Sequence, residues 1–257
     1  MSYRNLSPAK MFELLAMEHD PSHRFNDSTP EDYASWKERT LPLVISTLGE
    51  FPERDPLEPE LMAEWEHDGL TKQRWLINVG KYISAALLVN TPLGLASGDK
   101  RPAILCWHGH GNFGKEPVMG NAFNAEQEAE MKLFNNNYGQ VMAKAGFVTF
   151  AIDWIGGGER NDSNKPNFRS HNWGRDWCDL YYLCATMLGT TSLAINLYHG
   201  GAATDFVCTL PQVDPGRLGV MGLSGGGVMT VWSALWDSRY RAAEVICRGG
   251  WSGRKAT

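Results

Sequence analysis

The chain has 257 residues, enough to bury a sizeable core as one large domain or a domain with an extension. Hydrophobic residues make up 43% and charged residues 21%, the balance of a soluble globular protein. A net charge of −5 with no basic run argues against nucleic acid or an anionic membrane surface as partner, and nothing approaches a membrane span.

Five cysteines (Cys106, Cys178, Cys184, Cys208 and Cys247) are scattered, odd in number and mostly in apolar company. They read as reduced thiols in a cytoplasmic protein rather than as a disulfide frame or metal site. The first twenty residues carry Glu and Asp through their apolar stretch, so no signal peptide is expected. Residues 1–65 read as a mostly helical preface. Met11, Leu14 and Leu15 fall at helical spacing after Ser7-Pro8, and Ser28-Thr29-Pro30-Glu31-Asp32 opens a second helix that runs to Leu48. Pro52, Pro56 and Pro59 then interrupt it, and no chemistry attaches to this region.

From Leu70 the period changes. Lys72 to Val79 and Lys81 to Val89 show partly alternating patterns separated by Gly80, as in an antiparallel pair of strands. Ala103-Ile-Leu-Cys-Trp107 is continuously apolar, as in a strand buried on both faces, and runs straight into His108-Gly109-His110-Gly111-Asn112. Glycines just after a central strand leave backbone N–H groups uncovered, which suits one half of an oxyanion hole. A tight turn with merely exposed histidines is the plainer alternative. A metal pair of His108 and His110 lacks a third ligand at any recognisable spacing, so no metal is expected.

Residues 122–145 read as a helix across Asn135-Asn136-Asn137, and Phe147 to Asp153 as another buried strand. Trp154-Ile-Gly-Gly-Gly-Glu-Arg160 is a further Gly-rich exit, in which Asp153 is expected to pair with Arg160, direct substrate contact being the sharper alternative. Residues 161–172 form a polar loop and 173–210 read as helical. Arg217 to Trp236 is the most informative stretch: a short buried strand, a tight turn and a helix. Within it Gly222-Leu223-Ser224-Gly225-Gly226 fits G-x-S-x-G, the nucleophile elbow, in the strand-to-helix context this motif requires. Small neighbours let a strained turn push the serine out, and the Gly225 N–H at the helix opening can face a developing oxyanion. A bystander serine in a Gly-rich turn is the alternative; a phosphate loop would need a lysine that is not there.

Strands alternating with helices and left by short Gly-bearing exits (108–111, 156–158, 222–227) predict a mostly parallel α/β sheet with the site at the strands' carboxyl ends. These motifs, in this order, resemble the α/β-hydrolase superfamily, and within it the dienelactone-hydrolase and acetyl-xylan-esterase-like branch. The resemblance covers roughly residues 70–248. It implies a serine-dependent carboxylic-ester hydrolase acting on a small-molecule ester without a cofactor. Ser224 would be the nucleophile, Gly225 and His110 the backbone oxyanion donors, and His108, Gly109, Gly111, Asp153 and Arg160 the supporting loops. The organisation expected is a helical N-terminal extension over 1–69, the α/β core over 70–248 and an irregular tail over 249–257.

The chain departs from this family in one respect. The superfamily's order is Ser, then Asp or Glu, then His. Here all seven histidines precede Ser224, and the only acids after it are Asp237 and Glu244, neither where the family's acid belongs. Arg241 to Cys247 reads as one more strand, and the tail from Arg248 as a truncated or frameshifted end that leaves the sheet incomplete and favours a homo-oligomer. On this reading the chain is inactive unless His108, His110, His171 or a second subunit supplies the base. A non-catalytic relative that binds a ligand or protein in the same cleft is the alternative.

Overall fold

The computed structural model describes residues 4, 6–26, 29–111, 113–162 and 177–247. The chain divides into two compact units, Met1–Thr47 and Leu48–Thr257.

The first unit is helical, as its caps foretell. Helix α1 (Pro8–Glu18) opens with Ser7 accepting from the Lys10 N–H and with proline in its first turn. Helix α2 (Pro30–Ser46) opens with a capping box, in which Thr29 and Asp32 each accept from the other's backbone N–H. Ahead of α2, Phe25 packs edge-on against Tyr33, and Trp36 donates its indole N–H to His23 O at 2.7 Å.

The second unit is built on one seven-stranded sheet. Strand β1 (Glu60–His67) pairs antiparallel with β2 (Leu70–Gly80), which pairs antiparallel with β3 (Ile83–Pro92). Strand β4 (Arg101–Trp107) leads through the short helix α3 (Lys115–Val118) and through α4 (Ala125–Phe134) and α5 (Tyr138–Lys144) to β5 (Val148–Ile152). A single 3-10 turn at Gly158–Arg160 follows, then α6 (Trp177–Met187), α7 (Ser192–Val207), β6 (Val213–Leu223), α8 (Gly225–Trp236) and β7 (Tyr240–Ile246). The spatial order is β1-β2-β3-β5-β4-β6-β7, with β5, β4, β6 and β7 mutually parallel. This is the mixed, mostly parallel sheet flanked by helices of an α/β-hydrolase.

Two differences from the sequence reading have physical causes. The helical expectation for 1–65 holds for α1 and α2 but not for Glu60–His67, which is the edge strand β1. Leu61, Ala63 and Trp65 alternate with Glu60, Glu64 and Glu66, but the run is short, half of it is charged or histidine, and only Trp65 is partly buried. Charge on an edge strand discourages pairing with another chain. The signal that identifies it is the next dipeptide: Asp68 and Gly69 both have positive φ (56° and 78°), as a two-residue hairpin turn requires. The helix expected over 122–145 is two helices, broken where Asn135 caps α4 in the left-handed region (φ 46°).

The core lies on both faces of the central strands. Val148–Ile152 is buried throughout, as is Ala103–Trp107, and Leu88, Ile104, Cys106, Val118, Met119, Ala151 and Met221 form one packed cluster. No helix among the described residues is long and apolar enough to cross a membrane.

Candidate active site

Strand β4 has β5 on one side and β6 on the other, so the chain direction of the crossovers reverses there. In open parallel sheets a crevice forms at the carboxyl ends beside such a reversal. The three Gly-rich exits meet there: 108–111 leaves β4, 153–160 leaves β5 and Ser224 leaves β6.

Ser224 sits between β6 and α8 at φ 58° and ψ −112°, a conformation that L-residues rarely adopt. Its N–H donates to Ile246 O on β7 at 3.0 Å, and its carbonyl accepts from the Gly227 N–H at 3.0 Å and from the Val228 N–H at 3.3 Å. The turn is thus held by the backbone, and its side chain makes no capping bond. The flanking glycines are steric necessities. A Cβ on Gly222 would overlap Gly226 O and stand 2.8 Å from Trp107 O; one on Gly226 would overlap Trp107 O and stand 2.8 Å from His108 O. The elbow and the β4 exit therefore pack backbone against backbone. Gly109 continues this contact, since a Cβ there would stand 3.0 Å from Leu223 O and 3.6 Å from Ser224 Cβ.

Gly225 is the first residue of α8, so its N–H has no carbonyl within the helix to reach. The His110 ring lies over it: a Cβ on Gly225 would stand 2.8 Å from His110 Cε1 and 2.9 Å from Nδ1. Trp154 closes the other side, its ring centroid 5.1 Å from that of His110 and 4.4 Å from that of His108. Ser224 and His110 open into a cleft of ≈ 560 Å³, which Gly111, Phe134, Tyr138 and Cys247 also line. The Tyr138 hydroxyl donates to Trp107 O, and burial, then the neighbouring Cys106, raises its pKa. It is held as a neutral donor beneath the β4 exit.

The two histidines of the β4 exit differ. His108 is fully buried. Its Nδ1–H donates to Gly109 O at 2.8 Å and its Nε2 accepts from the Trp154 N–H at 3.3 Å, so both ring nitrogens are engaged. Burial lowers its pKa against the opposing pull of Asp153, which keeps it neutral. His108 ties β4 to β5 and is not free to take a proton from Ser224. His110 is exposed and stands at the cleft. His171 lies outside the described residues.

Asp153 does not pair with Arg160 through its carboxylate. Arg160 Nη1 donates to the Asp153 backbone oxygen at 3.0 Å. The carboxylate instead accepts from Lys115 N at 2.8 Å, Lys115 Nζ at 2.7 Å and Glu159 N at 3.1 Å. Burial alone would raise the Asp153 pKa, but Lys115 and then His108 hold it below the usual carboxylate range. Behind it runs a partly buried ionic chain that sequence reasoning missed. Lys115 Nζ also meets Glu159, Arg74 bridges Glu159 (2.7 Å) and Glu116, and Asn121 links Glu116 (2.8 Å) to Lys72 (3.0 Å). No group of three or more potential metal ligands occurs among the described residues.

The family model described as "Abhydrolase family" matches residues 2–240. The chain belongs to that family. Among curated proteins it is 22% identical over 207 residues to the Bacillus subtilis (strain 168) protein YtaP, named as a hydrolase, covering 79% of this chain and 62% of YtaP. A Bacteroides fragilis structure named as an acetyl xylan esterase superposes with a TM-score of 0.76 at 20% identity, over 92% of this chain and 59% of that one. The Solibacter usitatus glucuronoyl esterase gives 0.53 at 18% identity, over 83% and 58%. This family member thus spans about 60% of the length of these relatives. The structural likeness supports the α/β-hydrolase fold to which the motifs pointed.

Proposed function

We propose that the chain is a serine-dependent carboxylic-ester hydrolase acting on a small-molecule ester. The observation that carries this reading is Ser224 at φ 58° between a buried strand and a helix, opening into a cleft. Strain of this kind persists where the surrounding structure over-determines it, and it clusters at reactive sites. Ser224 Oγ attacks the ester carbonyl and the Gly225 N–H meets the oxygen that gains charge, with His110 N–H as the second donor. Collapse expels the alcohol, and water then releases the acid. Gly109, Gly111 and His108 shape the β4 exit; Asp153 and Arg160 brace the β5 exit from below. Relatives whose printed names include acetyl xylan and glucuronoyl esterases lend the ester class further support.

A second reading, a non-catalytic relative that binds a ligand in the same cleft, is favoured by one observation. His108 is committed to backbone partners, and no histidine follows Ser224 in these 257 residues. Hydrolysis of p-nitrophenyl acetate decides between them. Turnover by the wild-type chain that is lost in Ser224→Ala and in His110→Ala supports a serine esterase using an upstream base. A folded chain with no turnover and no labelling by a fluorophosphonate refutes the esterase reading in favour of binding alone.

A further inference from the structure

A cavity larger than the Ser224 cleft also lies beside the sheet. A cavity of ≈ 930 Å³ lies beyond the carboxyl end of β5, between the β2–β3 turn and α7, and among the described residues it shares no lining residue with the Ser224 cleft. Its walls are mostly apolar, from Phe51, Leu76, Ile83, Ile155 and Ile195. That size and lining suit a small organic ligand, fixed by a few polar groups.

Two of those polar groups stand out. His199 is 3% exposed, and its Nδ1 accepts from Arg160 Nη2 at 3.1 Å, so its Nε2 carries the proton. That Nε2 points towards Gly80 on the cavity wall. Burial, then Arg160, takes the His199 pKa well below 6.5, so it stays a neutral donor with one tautomer. Arg160 also lines the cavity. Its hydrogen bonds go to a backbone carbonyl and to His199, its Nε has no partner, and no carboxylate lies within ion-pair distance among the described residues. Burial pushes this guanidinium down to about 10, against the opposing pull of Asp153, whose carboxylate is taken up by Lys115, and of Tyr181. The acids nearby are spoken for or outside: Glu159 is held by Lys115 and Arg74, Asp162 accepts from the Tyr181 hydroxyl, and Glu50 and Glu53 are exposed at the rim. A half-buried guanidinium with no carboxylate in ion-pair contact among the described residues, beside a fixed N–H donor and an apolar chamber, is a receptor for an anion on an apolar body.

We propose that this cavity binds an organic carboxylate of medium-chain size, the carboxylate seated between Arg160 and the Nε2–H of His199 and the chain lying along Leu76, Ile155 and Ile195. This site is independent of the esterase reading, because it needs no group from the Ser224 cleft.

Titration calorimetry of the 257-residue chain with octanoate and with octan-1-ol tests it. Octanoate binds saturably and octan-1-ol at least about tenfold more weakly, since the alcohol forgoes the charge-assisted hydrogen bond. His199→Phe, which keeps a ring and removes the donor, weakens octanoate about tenfold. Ile195→Trp, which leaves both polar groups in place and fills the chamber from α7, abolishes binding. Ser224→Ala leaves the affinity unchanged, so failure of the esterase reading does not touch this result. No saturable octanoate binding, equal affinity for octan-1-ol, or unaltered binding in Ile195→Trp overturns the proposal. If His199→Phe fails to fold, the comparison of the two ligands on the wild-type chain still decides.

Discussion

Replacing Ser224 by glycine should stabilise the protein, and replacing it by alanine should not. The hydroxyl makes no cap bond, so its removal leaves no backbone donor of α8 unsatisfied. The cost at this position is the backbone at φ 58° and ψ −112°, which strains any residue with a Cβ by about 1–3 kcal/mol. Alanine retains that strain and should match wild type to within about 0.5 kcal/mol. Glycine removes it, and its greater freedom in the unfolded chain subtracts about 0.4–1 kcal/mol. From the middle of both ranges the net gain is about 1.3 kcal/mol, or roughly 3–5 °C in melting temperature for a unit of this size. Thermal unfolding of the three proteins side by side, followed by circular dichroism, reads it directly. A glycine variant that melts at or below the alanine variant would show that the elbow is not strained and remove the main support for Ser224 as nucleophile.

Gly226→Ala should have the opposite sign. The new Cβ meets Trp107 O and His108 O, both backbone atoms that cannot swing aside, and overpacking of this kind costs about 1–3 kcal/mol despite alanine's better helix propensity. Urea denaturation should show a lower midpoint with an unchanged slope. Lys72 supplies a pH test. Its ammonium is buried on Met119 O, Gly120 O and Asn121 Oδ1, and burial, partly offset by Glu116 and then Asp68, pushes its pKa down to about 8 from 10.5. Above about pH 8 the folded state releases this proton while the unfolded chain keeps it until about 10.5, so stability rises across that window. Relative to Lys72→Met, the wild-type protein should gain about 1 kcal/mol between pH 7 and pH 9, a difference that parallel denaturation curves at the two pH values will detect.

The parts legible in the sequence are those where the backbone alone sets the residue. Gly222 and Gly226 have to be glycine because carbonyl oxygens occupy the space of a side chain, and the all-apolar run 103–107 had to be buried on both faces. Both constraints are local and leave a trace at a fixed spacing. The ionic chain under the β4 and β5 exits leaves none. Nothing at a fixed spacing marks Lys72, Arg74, Lys115 and Glu116, and what ties them together is proximity across residues 38 or more apart in sequence. The same blindness hid the partner of the Asp153 carboxylate: Arg160, the nearest cation in sequence, holds its backbone oxygen, while Lys115 holds its carboxylate. His108 and His110 looked equivalent from their spacing, and only the three-dimensional arrangement separates a buried strut from a residue at the cleft.

The register of β4 against β6 carries a consequence for how the site comes into being. Ile104 lies opposite Gly219, more than a hundred positions later, whereas Leu87 meets Ile152 and the β2–β3 pair is a local hairpin. Pairings across long loops close late, because chain entropy is lost before the contacts that offset it form. During synthesis the first six-tenths of the chain can assemble β1 to β5 while the other edge of β4, an apolar ribbon with unpaired amides, waits for its neighbour to emerge. The elbow therefore forms after β1 to β5 on a growing chain, and until β6 docks the open edge of β4 leaves the nascent protein exposed to aggregation.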